Sequence, residues 1–508
     1  MRIRLAWTVA LALAWLATAP APGAAAPKAG GTLVYATGTD ALTLDPQFVT
    51  DVPTARAVMH IHETLVYQDD EGKIVPGLAE SWSVSADKLT WTFKLRKGVR
   101  FHDGTPFNAQ AVKHSLDRLL NPATGSPRRS TAQAIQESRV VDEHTVALAT
   151  AKPFAPFLAQ LTAYNLAILS PTAADKLGKD YASKPVGTGP FLLESWKPGD
   201  KLILARNPSY WGQKPWLDRV EFRVVPEDGT RVLQLLAGEV DIIASVPPIM
   251  LKRLAGAADV RVLRSAGYRT IYIGLNNKVK PFDDLRVRRA VAHAVNPQAI
   301  VQGVLGGVGA VGGGLESPAI GGALRGLAPY RHDPAASKKL LAEAGFAGGL
   351  KTKLYLPTGR YLMDRQVGEA VQAQLKEVGI TAEIVAPDWG ALTAALNKLT
   401  EIPMFLMGKG SPTGDLDLTL TLVTQTGGRM NHFNYSNAEV DRLIALQRQA
   451  TDPAERQQIL RRIQEKLYEE VPAVVVFYEE QLYGARSSVQ GVEVHPNESV
   501  SFARAWKQ

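Results

Sequence analysis

Hydrophobic and polar positions alternate with a period of two in several short stretches of the chain. The pattern predicts strands in "GTLVYATG", "LTWTFKLRKG", "HTVALATAK", "KLILARN" and "RVEFRVV", and again at "RTIYIGLN" and "LKTKLYLP". The early segment "TARAVMHIHETLVY" carries a helical repeat instead. Three later helices announce their own starts. Asn296 before Pro297, Asp333 before Pro334 and Asp452 before Pro453 each place a capping side chain ahead of a proline in the first turn, and Gly345 stops the second of these helices. Near the C-terminus, "VPAVVVFYEEQLYGARSSV" is a buried-strand run with a polar edge that could return the chain to its first part. Mixed strands and helices in this order predict α/β or α+β lobes rather than a repeat protein.

With 508 residues the chain exceeds one ordinary core, so two or more lobes are expected. Hydrophobic content of 45% and charged content of 21% belong to a folded globular protein. The formal charge of +8 comes from basic residues scattered among acids, not gathered in runs, so no nucleic-acid surface is expected.

The first residues have a basic start (Arg2, Arg4), an apolar stretch from Leu5 to Ala19, and then small residues and prolines. This is the layout of a secretory signal peptide over residues 1–25, too short and too soon followed by Pro20 for a membrane span. Its removal takes the formal charge from +8 to +6. The chain has no cysteine, which excludes disulfides, thiolate metal sites, a cysteine nucleophile and a lipid-modified cysteine at the cleavage point. A soluble periplasmic protein is expected.

Three stretches mimic catalytic or metal motifs. In "RFHDGTPFNAQAVKHSL", His102, Asp103 and His114 lie close in sequence, but Asp103-Gly104 is a turn dipeptide and Asn108 is an N-cap. A turn that starts a helix with Val112, Leu116 and Leu119 as its apolar face is expected. In "MHIHE", His60 and His62 are two apart and cannot share one ion from a helix, so two helix-face histidines are expected. Gly307, Gly309 and Gly312 match G-x-G-x-x-G, but the match lies after a helix, not after a strand, and reads as a flexible loop. No G-x-S-x-G elbow, H-E-x-x-H or G-K-[ST] loop occurs. No cofactor, metal site or catalytic residue is expected, although a triad assembled from distant residues leaves a secreted hydrolase as an alternative.

Five segments together resemble one family. They are "PGLAESWSVSADKLTWTFKLRKGVRFHDGTPFNAQAVKHSLDRL", "PVGTGPFLLESWKPGDKLILARNPSYWG", "PFDDLRVRRAVAHAVNPQAIV", "YRHDPAASKKLLAEAGF" and "YSNAEVDRLIALQRQATDPAERQQILRRIQEKLYEEVPAVVVFY". They run in order over the mature chain and are similar to the extracytoplasmic solute-binding proteins of ABC importers, specifically the dipeptide-, oligopeptide- and nickel-binding group known as family 5. The resemblance implies an α/β, bilobal periplasmic-binding-protein fold of class II with a hinged cleft. Lobe one would be 27–268 plus 479–508, with an extra subdomain at about 45–184 that contains "FHDGTPF", and lobe two 269–478. It implies a monomer that captures a peptide or peptide-like solute and delivers it to a membrane permease. An opine, an oligosaccharide or a nickel chelate are the alternative cargoes.

The resemblance also implies site residues. "LPTGRYLMDRQ" places Arg360 and Tyr361 where peptide-binding members meet a ligand carboxylate, and "GKGSPTGDLDLTL" places Asp415, after Gly414, where they meet an amino terminus; Asp417 is the weaker match. The chain departs from the pattern at Lys409, which stands where many members have a tryptophan and would either complement an additional acid on the ligand or face solvent. The "GDYPDP" form of the aspartate loop is replaced by "GDLDLT". Trp389 is a further ligand-wall candidate. N-terminal sequencing of the exported protein is expected to find a chain that begins near Ala26; an intact Met1 would overturn the signal-peptide reading.

Overall fold

The computed structural model describes residues 27–508 apart from 70–71, 358–359, 388, 399–401 and 412. Its centre is a ten-stranded sheet that two long strands, Val260–Leu275 and Ala473–Arg486, carry through the molecule as an antiparallel pair. On one side of this pair lie Ile242–Ala244, Thr32–Thr37, Arg219–Val224, Lys201–Arg206 and Phe191–Lys197; on the other lie Met404–Lys409, Leu350–Tyr355 and Ile380–Val385. All seven alternating stretches named above form strands.

The long pair is not continuous. Ala266 opposes Glu480 and Thr270 opposes Tyr478, so Gly267, Tyr268 and Arg269 together face Glu479. A side chain at Gly267 would bring its Cβ to 2.7 Å from the Glu479 carbonyl, which only glycine avoids. The N-terminal half of the first strand pairs with the end of the second, and its C-terminal half pairs with the beginning of the second and with Met404–Lys409. Among the described residues, the slip thus divides the sheet into two halves that these strands join.

A separate four-stranded sheet, Ala79–Val84, Thr90–Leu95, Thr145–Thr150 and Ile135–Asp142, has its own apolar core, packed by helix Ala109–Leu120. Phe93, Leu95, Val112, Leu116 and Val146 meet there. The "FHDGTPF" segment is a turn: the Phe101 amide donates to Thr105 O and the Gly104 amide to Phe101 O, with Gly104 at φ +81°. Asp103 accepts from the Thr105 amide and from the Ser170 hydroxyl at 2.7 Å, and His102 reaches Gly189 O at 3.0 Å. Asn108 caps the helix by accepting from the Ala111 amide, and Val112, Leu116 and Leu119 are buried. The three proline-led helices start at Pro297, Pro334 and Pro453 with Asn296, Asp333 and Asp452 as caps.

Two expectations need amendment. The helix in "TARAVMHIHETLVY" ends at Ile61, and a strand, Val66–Gln68, follows. The carbonyls of Ile61, Glu63, Thr64 and Leu65 accept from the amides of Gly189, Ile168, Leu78 and Gly77, so tertiary hydrogen bonds replace the helical ladder. His60 and His62 are both buried, the first in the helix and the second capping its end.

His60 Nδ1 donates to Arg56 O at 2.7 Å and its Nε2 accepts from the Phe502 amide at 3.2 Å, an arrangement that only the neutral ring makes. Burial lowers its pKa from 6.5 to about 4. The folded value lies below the unfolded one, so this contribution to stability is complete above pH 6.5 and is lost as pH falls toward 4, at most about 3 kcal/mol. Chemical denaturation across that range is expected to show this loss, and a His60→Phe variant, which cannot titrate, a shallower slope.

Candidate functional site

The strand slip gathers charge where the two halves of the sheet meet. Arg269 donates from Nη1 to Glu479 Oε2 at 2.6 Å and from Nη2 to Glu498 Oε1 at 3.0 Å. Arg56, on helix Val52–Ile61, donates from Nε to Glu498 O at 2.7 Å and from Nη2 to the Tyr483 hydroxyl. Burial raises the Glu479 carboxyl above the usual range, against the pull of Arg269 and, more weakly, of Arg360. This places Arg360 in the same electrostatic neighbourhood. Its guanidinium lies 5.0 Å from the centroid of the Tyr361 ring, and the Tyr361 hydroxyl donates to Gly408 O at 3.2 Å. Arg360 itself is exposed while Tyr361 is buried. The expected pair therefore sits beside the slip, with Tyr361 bonded to the residue before Lys409.

Lys409 closes the strand Met404–Lys409 opposite Thr270. It does not face solvent. It is 4% exposed, and its ammonium pairs with Glu316, 2% exposed. Burial draws the Lys409 ammonium below its usual range and Glu316 pulls it back. Its charge is thus balanced within the protein. The partner comes from the segment after the glycine-rich stretch, which forms no helix and is pinned along its length. Ala310 exchanges two backbone hydrogen bonds with Tyr478, the Tyr478 hydroxyl donates to Gly314 O, the Ser317 hydroxyl donates to Gly267 O, and the Gly321 amide donates to Gly414 O. What reads as a flexible loop is a strap along the slip.

Asp415 caps the short helix Leu416–Thr419 and accepts a two-pronged contact from Arg456, Nη1 to Oδ2 and Nη2 to Oδ1, both 2.7 Å. The Asp417 amide donates to Oδ1 as well, at 2.8 Å. Asp417 is held by Arg448 and Gln447, each at 2.6 Å. Both carboxylates are buried and turned toward the helices Ala438–Gln449 and Pro453–Glu470. Gly414 holds φ +62° and lies tight against Gln68 of the strand Val66–Gln68: a Cβ there would fall 1.9 Å from Gln68 Oε1. Trp389 opens the helix Trp389–Asn397; its side chain lies outside the described residues.

Residue reasoning missed Arg56, Arg269, Glu316, Glu479 and Glu498. One signal was present: Glu479-Glu480 interrupts the most apolar run of the C-terminal segment, and a buried acid in a strand demands a cation. Nothing local names Arg269 or Glu316 as partners. Among the described residues no group of three or more His, Asp or Glu is placed to hold a metal ion, and no helix is long and apolar enough to cross a membrane. The arrangement offers internally neutralised walls on the two halves of the sheet, which meet at the strand slip.

These features define a two-lobed, hinged receptor of the periplasmic-binding-protein fold. The sequence profile of the bacterial extracellular solute-binding proteins, family 5, matches residues 73–431, and the chain belongs to that family. It is 33% identical over 505 residues to a glutathione-binding protein, GsiB, of Salmonella choleraesuis, covering 98% of this chain and 97% of that one. Among solved structures, the periplasmic binding protein DppA of Helicobacter pylori in complex with the peptide STSA superimposes with a TM-score of 0.77 at 30% identity, over 94% of this chain and 98% of that chain. HbpA2 of Haemophilus parasuis gives 0.87 at 25% identity, over 94% and 100%.

The Lys409–Glu316 pair has a measurable energetic signature. Glu316→Ala or Lys409→Met alone leaves one buried charge without its partner and is expected to cost about 3–5 kcal/mol. Combining Lys409→Met with Glu316→Leu is expected to recover most of that loss in urea denaturation. Equal losses for the single and double variants would show that the pair is not coupled.

Proposed function

We propose that the protein is the exported receptor of an ABC importer that captures a short peptide or peptide-like solute between its lobes and delivers it to the membrane permease. The observation that carries this reading is the slip at Gly267–Arg269 against Glu479, which among the described residues leaves two strands to connect the halves of the sheet. In this reading the lobes divide at 268/269 and 478/479, and the slip lies at the joint between them. Ligand favours closure because it touches both lobes only when they are shut. The kinship with a protein named for glutathione and with one that carries a peptide supports a compact zwitterion over an opine, an oligosaccharide or a nickel chelate. In this reading the protein acts as a monomer, catalyses no reaction, and loses residues 1–25 on export to the periplasm without gaining a lipid.

Arg360 and Tyr361 take the ligand carboxylate here, the guanidinium fork suiting its two oxygens. Asp415 serves the ligand ammonium through the capacity that Arg456 leaves on Oδ2: Oδ1 already accepts two hydrogen bonds, Oδ2 one. Gly414 keeps the loop close to that point, and Lys409, balanced by Glu316, stiffens the wall. Trp389 remains a wall candidate.

Calorimetric titration with glutathione, di- and tripeptides, an opine, an oligosaccharide and a nickel chelate tests the proposal. One-to-one binding of a peptide-like solute without turnover is expected, with stabilisation of about 2.7 kcal/mol at a hundred times its dissociation constant. Arg360→Ala is expected to weaken that binding about thirty-fold or more. Binding of one of the other solutes alone would move the cargo to that class, and hydrolysis of a peptide would sink the receptor reading.

A further inference from the structure

The stretch that carries Arg360 and Tyr361 is held by an acid four positions after the first of them. Asp364 opens the helix Asp364–Glu377 and is 4% exposed. An acid in the first turn of a helix ordinarily serves the free amides and the dipole of that helix. Here Oδ1 accepts from the Arg365 amide at 2.9 Å, but Oδ2 is turned back, to the Arg360 amide at 2.8 Å and the Tyr361 amide at 3.1 Å. The Asp364 amide returns a bond to Tyr361 O at 3.3 Å, so the turn is closed from both ends. Met363, inside it, holds φ +49°, a left-handed conformation that such a side chain adopts only where its surroundings impose it. The Tyr361 ring is tied separately, through its hydroxyl to Gly408 O, and the Arg360 guanidinium lies over that ring.

We infer that Asp364 is a positioning residue for recognition of the solute's anionic end. The inference rests on the proposed role of Arg360 as the partner of that end. A long exposed side chain loses rotational freedom when a ligand immobilises it, and an unfixed backbone beneath it would add its own ordering to that cost. One buried carboxylate that holds both amides removes the backbone's share before solute arrives. It also sets the point from which the guanidinium projects. Asp364 thus acts through the backbone of Arg360 and through the placement of the ring against which the guanidinium rests. A selective effect follows. Asp364 matters to a solute with a free carboxylate, and not to the same solute with that group capped as an amide.

Calorimetric titration of the mature protein with trialanine and with trialanine amide tests this. Asp364→Ala is expected to weaken binding of the free acid by about tenfold and to leave binding of the amide unchanged. Asp364→Asn, which keeps one acceptor oxygen, is expected to lose less. In the Arg360→Ala background, Asp364→Ala is expected to have no further effect, because the group it positions is gone. Hydrogen–deuterium exchange without solute reads the same bonds directly. The amides of Arg360 and Tyr361 are expected to exchange faster in Asp364→Ala, and its melting curve shows separately whether the protein is still folded. Wild-type affinity or unchanged exchange in Asp364→Ala would overturn the inference and leave Arg360 as the anchor. So would equal weakening of acid and amide, or the same loss with and without Arg360. Arg360→Ala that binds as the wild type does, or a wild type that binds neither form, would instead remove the anchor itself and with it this role for Asp364.

Discussion

The pairing of Val260–Leu275 with Ala473–Arg486, and its interruption opposite Glu479, is the constraint on which the rest of the structure depends. Strands paired in perfect register over this length would weld both halves of the sheet into one rigid plate. Three residues against one break the ladder locally and bend the bulged strand. The break also leaves room for Arg269 to enter between Glu479 and Glu498, which adds an ion network at the point where backbone pairing is weakest. The break in the ladder and the burial of charge beside it thus share one origin.

Charge pairing inside each wall follows a consistent logic. Lys409 has Glu316, Asp415 has Arg456, Asp417 has Arg448, and Glu479 has Arg269. Burying any of these charges alone would cost several kcal/mol, and the protein offsets each with an opposite charge from another element. The consequence for recognition is that most of the charge near the hinge is committed to the protein's own architecture. Arg360, beside Tyr361, is exposed where these pairs are buried.

Glu63 shows the same rule without a cation. Its buried carboxylate accepts from the Thr188, Tyr210 and Trp211 side chains at 2.8 Å each and from Tyr67 at 3.3 Å, and burial raises its pKa. Four donors replace one counter-ion. Tyr67 precedes Gln68, so this polar core also fixes the base of the hairpin that reaches across to Gly414.

The amino-acid sequence by itself determined what depends on neighbours a few residues apart. Asn108, Asn296, Asp333 and Asp452 cap helices because a short acceptor side chain can reach the exposed amides of its own first turn. Asp103-Gly104 turns because glycine accepts positive φ, and the alternating stretches became strands because one face of each could be buried. Resemblance over five ordered segments supplied the family and the bilobal plan. The tertiary structure alone decided where the helix begun at Val52 would stop, since the amides that claim its next carbonyls come from residues up to 128 positions further on. It alone decided that Lys409 is buried against Glu316, that Asp415 is gripped by Arg456, and that a loop rich in glycine is pinned along the hinge. Partners separated by 41, 93 or 210 positions leave no periodic trace in a single chain, because nothing but the folded path brings them within hydrogen-bonding distance.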